Sequence, residues 1–221
     1  MTVPLVIVGA GGFGREVLDV IDAINCADDV PVYEILGVID SGPSETNLNR
    51  LANRGIRFLG SELDARHMVR GLQFVVGVGS PSARRLIAAR FATLGVPAAT
   101  LVHPSSGLGS DLNIGAGSVI CAGVQVSTNV TLGEHVHLNA NATVGHDSSI
   151  GDFASVNPGA IVSGDVQIGM SSLLGAGSVV LQGIFVARNV IVGAAACVTR
   201  NIDQGTTVVG VPAREAPTKK A

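Results

Sequence analysis

Tryptophan is absent from this sequence, tyrosine occurs once, and aromatic residues make up only 3% of the chain. A core without large rings must be assembled from Val, Ile, Leu and Ala, which suits regular strands and does not suit a disordered chain. Charge is scarce as well: 14% of residues are charged and the formal net charge is −3. That balance excludes an electrostatic case for binding DNA, RNA or an anionic membrane. The three cysteines, Cys26, Cys121 and Cys197, lie far apart and form no C-x-x-C pair. They read as reduced thiols, buried as small hydrophobes in a cytoplasmic protein. No apolar run reaches the roughly 18 residues of a membrane span. The opening "MTVPLVIVGAGG" lacks a basic segment, so no signal peptide is expected.

What the sequence has in abundance is glycine, 29 in 221 residues. The first cluster, in "VIVGAGGFGREVLDVI", places Gly9, Gly11 and Gly14 in the G-x-G-x-x-G spacing of a dinucleotide-binding turn. The apolar run before Gly9 reads as a strand buried on both faces. Val17, Leu18, Ile21 and Ile24 after it recur at helical spacing, predicting a helix over residues 13–24. "PVYEILGVIDS" is a second strand ending on Asp40 and Ser41, residues 42–53 read as a polar loop, and "GIRFLG" as a short segment. Residues 61–69 read as a helix with Ser61 and Asp64 as a weak capping box and His67 on its surface. "LQFVVGVGS" is a further strand, and "SARRLIAARFATLG" a helix that Gly95 ends. This is a compact α/β unit with a short parallel sheet, Rossmann-like, with the Gly-rich turn at the carboxyl ends of its strands. It is too short for the two halves that clasp a whole dinucleotide, so the glycines suit a nucleotide's phosphates without implying redox chemistry.

After residue 100 the rhythm changes. An aliphatic residue falls at every sixth position from Val102 to Val198, seventeen in unbroken phase, often followed by Gly. Four residues after each aliphatic stands another small or aliphatic side chain, as at Ser118, Val124, Val130 and Ala142. Such hexads cannot bury a face singly, so they stack. They predict a parallel β-helix with one hexad per face, three per coil, and about five coils.

The hexads resemble those of the hexapeptide-repeat acyltransferases. Together with the small nucleotide-binding-like domain, the chain is similar to the NeuD-type sugar O-acyltransferase family, and within it to bacterial nucleotide-amino-sugar N-acetyltransferases. "GAGGFGREVLDV", "LNANATVGHDSSIGDFASVNPGA" and "VVGVPAR" carry the resemblance. It implies a left-handed β-helix, acetyl-CoA as donor, no metal, and a homotrimer with its sites between subunits. The expected division is 1–100 for nucleotide-sugar binding, 101–210 for the β-helix and 211–221 for a solvated tail. The family's catalytic histidine falls on His146 and its acidic partner on Asp147. Asn139 matches an asparagine near the acceptor sugar. Ser155 stands where the family has a second, donor-contacting histidine, a departure that puts that contact in doubt. Gly164, Ala176 and Ala194 match positions that receive the pantetheine arm, and Gly11, Gly12, Phe13, Asp40, Ser41 and Gly79 match the nucleotide-sugar cradle. Read from the residues, a histidine beside a carboxylate is a fitting general base for an amine that must lose a proton before attacking a thioester.

Other readings stand beside these. His135 and His137 invite a metal site with His146, but the spacing is wrong for it and solvent-facing histidines are expected instead. Arg84, Arg85 and Arg90 suit either phosphate contacts or a solvated helix face. The acceptor is expected to be the amine of a 4-amino-4,6-dideoxy sugar on a nucleotide. A sugar hydroxyl of the sialic-acid type, or a trimeric scaffold without activity, are the alternatives.

Overall fold

The computed structural model describes residues 2–27, 29–61 and 71–216. The expected helix over 61–69, with Asp64 and His67, falls outside them apart from Ser61. The chain divides into two compact units, Met1–Pro104 and Ser105–Ala221.

In the first unit, β1 (Val3–Val8) is the central strand, flanked in parallel by β2 (Tyr33–Ile39) and β3 (Gln73–Val76). Single bridges widen the sheet at both edges, Phe58 against Val38 and Ala98 against Phe74. The "GIRFLG" segment is therefore an edge of the sheet, with the Leu59 amide donating to the Val38 carbonyl at 2.8 Å. The helices are α1 (Gly12–Ala27), α2 (Glu45–Asn53) and α3 (Pro81–Thr93). Leu5, Val6, Ile7 and Val8 are buried from both sides, as a parallel strand between covering layers requires. α2 corrects the loop expected over 42–53. Ser44 caps it by accepting from the Asn47 amide, Glu45 meets the positive end of the helix, and a single buried Leu51 anchors it. One apolar anchor leaves too weak a period to notice among polar neighbours. Gly95, with φ of 67°, follows the Leu94 cap of α3 as expected.

In the second unit, two-residue strands stack at a register of eighteen residues. Thr143–Val144 pairs with Gln125–Val126 below and Ile161–Val162 above, and the same holds on the other two faces. One face carries six such strands, from Gly107–Leu108 to Cys197–Val198, so the helix has six coils instead of the expected five. Ile191–Val192 and Cys197–Val198, both within the six-residue phase, make two sides of the sixth coil; Ile202, bridging to Val186, supplies the third, and Thr207–Val209 pairs onward with Ile191–Val192. Arg214–Glu215 then folds back antiparallel onto Val208 and Val209, with both of its side chains exposed.

The hexad has two inward positions. The phase aliphatics Leu138, Val144, Val156 and Val162 are fully buried, and so are Ser118, Val136, Ala142 and Ala154 from the second set. Buried serines need partners. Ser118 Oγ accepts from the Val136 amide and donates to the Gly133 carbonyl, each at 3.0 Å; Ser148 and Ser172 repeat the pattern. Between strands every corner holds a left-handed residue, recurring each sixth position from Asp111 to Ala195. Glycine, asparagine and aspartate fill most of these corners because they tolerate positive φ. That second six-residue period is legible in the sequence and escapes a reading built on hydrophobicity alone.

Ala195 sits at such a corner with φ of 55° and has no polar side chain to offset the strain. Ala195→Gly is expected to stabilise the protein by about 0.5–1 kcal/mol, the left-handed penalty less the entropy of an added glycine. A urea midpoint equal to or below wild type would contradict this.

Candidate active site

The site is built at one corner of the β-helix, after strand Thr143–Val144. Gly145 brings the chain tight against the next coil, since a Cβ there would lie 2.5 Å from the carbonyl carbon of Ser163. His146 then projects outward, and Asp147 takes the left-handed corner with φ of 60°. That backbone turns the carboxylate back onto its neighbour: Asp147 Oδ2 lies 2.6 Å from His146 Nδ1. Asn129, eighteen residues earlier at the same corner, donates from Nδ2 to Asp147 Oδ1 at 2.7 Å. Those two hydrogen bonds, Asn129 first, hold the Asp147 carboxyl below the ordinary carboxylate range. An ionised carboxylate only accepts, so Nδ1 carries the ring proton and Nε2 is left with a free lone pair. The imidazole remains 61% exposed.

Above the ring the side-chain column is interrupted. Thr128, His146, Gly164 and Gln182 succeed one another coil by coil, and a Cβ at Gly164 would lie 2.6 Å from His146 Nε2. The missing side chain opens a groove lined by His146, Ser163, Gly164, Asp165, Gln182 and Gly183. His146, Asp147 and Gly164, three of the expected site residues, thus lie together.

The other expected residues lie elsewhere. Asn139 follows a strand of a different face and is nearly buried, its amide bonded to the Val156 carbonyl at 3.1 Å and to Asn157. Ala176 and Ala194 are exposed and stacked one coil apart at the corner after that same face, with the Ala195 amide bonded to the Ala176 carbonyl. Ser155 stands beside His137 in adjacent strands. Both are buried, which corrects the expectation of solvent-facing histidines; His135 is buried too, its ring stacked on Phe153 at 5.2 Å. A histidine can be buried where an aromatic ring or a neighbouring strand replaces water, and an outward position in the hexad does not guarantee exposure. Among the described residues no cluster of His, Cys, Asp or Glu could hold a metal ion. No helix among them is long and apolar enough to cross a membrane. Of the cysteines, Cys121 is buried, Cys197 half-buried and Cys26 exposed near the end of α1, so burial holds for only one of them.

In the first unit the glycines separate into two kinds. A Cβ at Gly14 would lie 1.8 Å from the Gly9 carbonyl oxygen, and one at Gly77 2.5 Å from Gly14 Cα, so these permit strand and helix to touch. At Gly11, Gly12 and Gly79 a Cβ would meet nothing within 4 Å. Internal packing does not require those three. A cleft of the same unit is lined by Val8, Gly9, Asp40, Ser41, Val78, Ala83 and Ile87, and half-buried Phe13 stands in the first turn of α1. Asp40 is committed to the backbone, accepting from the Ala10 amide at 2.8 Å and the Gly42 amide at 2.9 Å. Arg84 departs from both sequence readings. It is fully buried and donates to the carbonyls of Val78 and Gly79, bracing the loop after β3, and burial lowers it to about 9. Arg85 and Arg90 are exposed.

Residues 4–91 match the PglD N-terminal domain family. The acetyltransferase domain of PglB from Neisseria gonorrhoeae superposes with a TM-score of 0.82 at 29% identity, covering 96% of this chain and 99% of that one. A variant of perosamine N-acetyltransferase from Caulobacter crescentus, solved with CoA and GDP-perosamine, reaches 0.84 at 27% identity over 97% of each chain. The chain is an acyltransferase whose first part matches the PglD N-terminal domain and whose whole length is similar to hexapeptide-repeat sugar acetyltransferases. WeeI from Acinetobacter baumannii shares the fold at 24% identity over 97% of this acyltransferase, with a TM-score of 0.82. Its β-helix is the left-handed kind of these enzymes. Among curated proteins no sequence matches it.

A carboxyl held below its ordinary value contributes stability that is complete above that value, 3.8, and is lost as pH falls through the lower folded one. Asp147→Asn removes this contribution. Urea midpoints should therefore separate wild type from the variant more at about pH 7 than at about pH 3. An equal gap at both pH values would show that the carboxylate is not held down by its partners.

Proposed function

We propose that this acyltransferase moves the acetyl group of acetyl-CoA to the amine of a nucleotide-linked 4-amino-4,6-dideoxy sugar, with His146 as general base. The observation that carries the reading is the His146–Asp147 pair, with its free Nε2 turned toward the groove under Gly164. Nε2 takes a proton from the acceptor amine as the nitrogen attacks the thioester carbonyl. The tetrahedral intermediate collapses, the C–S bond breaks, and the imidazolium returns the proton to the departing sulfur. Asp147 holds Nδ1–H and faces the positive charge that forms on the ring. Direct attack needs no enzyme nucleophile.

The acceptor's diphosphate is assigned to the glycine turn of the first unit, where Gly11, Gly12 and Gly79 leave space that packing does not use. Asp40 and Ser41 then meet the ribose or base, and Phe13 and Asn139 complete the acceptor contacts. The pantetheine arm is assigned to Gly164, Ala176 and Ala194, and Ser155, buried beside His137, has no part in it. His146 and Asn139 stand at different corners of one chain, so the reading places the site between copies in a homotrimer. Ile161, Phe185 and Ile191, each more than 40% exposed on the outer faces, suit such an interface. A cytoplasmic enzyme of surface-glycan synthesis fits this chemistry. A bound CoA with GDP-perosamine in the Caulobacter relative supports the donor and the class of acceptor.

The test is purified protein with acetyl-CoA and UDP-, dTDP- and GDP-linked 4-amino-4,6-dideoxy sugars, following free thiol. Thiol release with at least one sugar and a hydroxylamine-stable product is expected. No release with any sugar overturns the reading, and a hydroxylamine-labile ester would mean O-acetylation. His146→Ala is expected to lower kcat by roughly 10²–10⁴, the usual worth of a general base.

A further inference from the structure

We propose that Asn129 is a positioning residue for the reaction: its amide locks the Asp147 carboxylate in the rotamer that faces His146 Nδ1. The proposal rests on the reading of His146 as base. Three observations carry it. First, the contacts form one continuous line, Asn129 Nδ2 to Asp147 Oδ1 at 2.7 Å and Asp147 Oδ2 to His146 Nδ1 at 2.6 Å. A carboxylate held at only one oxygen swings about its Cβ–Cγ bond; held at both, it presents Oδ2 in a fixed direction.

Second, the coil does not need the amide. The Asn129 backbone N–H donates to the Ser110 carbonyl at 3.0 Å, independent of its side chain. Gly183, at the same corner with φ of 69°, makes the equivalent bond to Gly164 with no side chain at all. Asparagine is therefore not there to hold the turn. Third, the donor is neutral. An arginine or lysine in its place would cancel the carboxylate's charge and with it the field that favours the imidazolium. The other charged groups of this corner are carboxylates, Asp111 on the coil before Asn129 and Asp165 on the coil after Asp147, whose amide donates to the His146 carbonyl. Asn129 thus supplies a hydrogen-bond donor in a column of acids.

Asn129→Gly in the full-length protein removes the amide and keeps the left-handed corner without strain. The first readout needs no substrate: ¹⁵N spectra of the neutral His146 ring, assigned by their loss in His146→Asn. Wild type should show the Nδ1–H tautomer, and the variant a larger share of Nε2–H. The Asp147 carboxyl midpoint, followed by ¹³C, should rise toward the ordinary value in Asn129→Gly. It should rise further in Asn129→Asp, which keeps the shape but replaces the donor with a like charge. With the acceptor found above, kcat in Asn129→Gly should fall about 2- to 10-fold at unchanged KM, the worth of one hydrogen bond. A wild-type tautomer and midpoint in both variants overturns the proposal, as does a loss of kcat without a change of tautomer. Because tautomer and midpoint are read on the free protein, they stand or fall separately from the identity of the acceptor.

Discussion

Each corner of the β-helix asks its backbone for a left-handed residue, and the rest of the second unit follows from that demand. For a residue other than glycine the conformation costs about 1–2 kcal/mol. Ten of the corners, from Asp111 to Ala195, are filled by such residues. A fully buried Val or Leu returns about 1.5–3 kcal/mol, and most hexads bury one aliphatic together with a smaller partner. The balance favours the coil, but only when coils stack. An isolated hexad would carry the strain with its aliphatic still wet. This explains why the register is held at eighteen residues through the hexads, shortening only where Ile202 and Thr207 meet Val186 and Ile191, and why Arg214–Glu215 folds back onto the last strand.

The chemistry is placed by the same demand. Asparagine and aspartate are tolerated in the left-handed region because their short polar side chains bond locally. At Asn129 and Asp147 that tolerance has been turned to use. The corner that forces positive φ on Asp147 also points its carboxylate at the preceding residue, and the next corner down supplies the donor for its second oxygen. Gly164 completes the arrangement from above by having no side chain. A strand or a helix holding the same His-Asp dipeptide would send the two side chains apart.

The first unit shows a glycine motif divided between positions that packing requires and positions that it does not. Gly9, Gly14 and Gly77 let β1 and α1 approach to backbone contact, a role that any tightly packed βα turn needs. Gly11, Gly12 and Gly79 have no such duty; Gly9, Asp40 and Val78 line a cleft at the carboxyl ends of the strands. Asp40 and Arg84, charged residues that invite assignment to a ligand, are instead bonded to the backbone that shapes this cleft. Both keep amides and carbonyls of these loops where they are.

Periodicity alone determined the β-helix, because a six-residue phase kept through seventeen aliphatics fits no helix and no simple strand. It also located β1 to β3 and placed His146 next to Asp147. The resemblance in "VGHDSSIGD" supplied the roles proposed for them. Tertiary structure decided what depends on neighbours eighteen residues away or farther: the sixth coil, the burial of His135, His137 and Ser155, the bracing by Arg84 and the clamp from Asn129. A sequence displays local period directly. The contacts that bury an outward-facing ring or fix a carboxylate's second oxygen lie between coils, and they exist only once the coils have stacked.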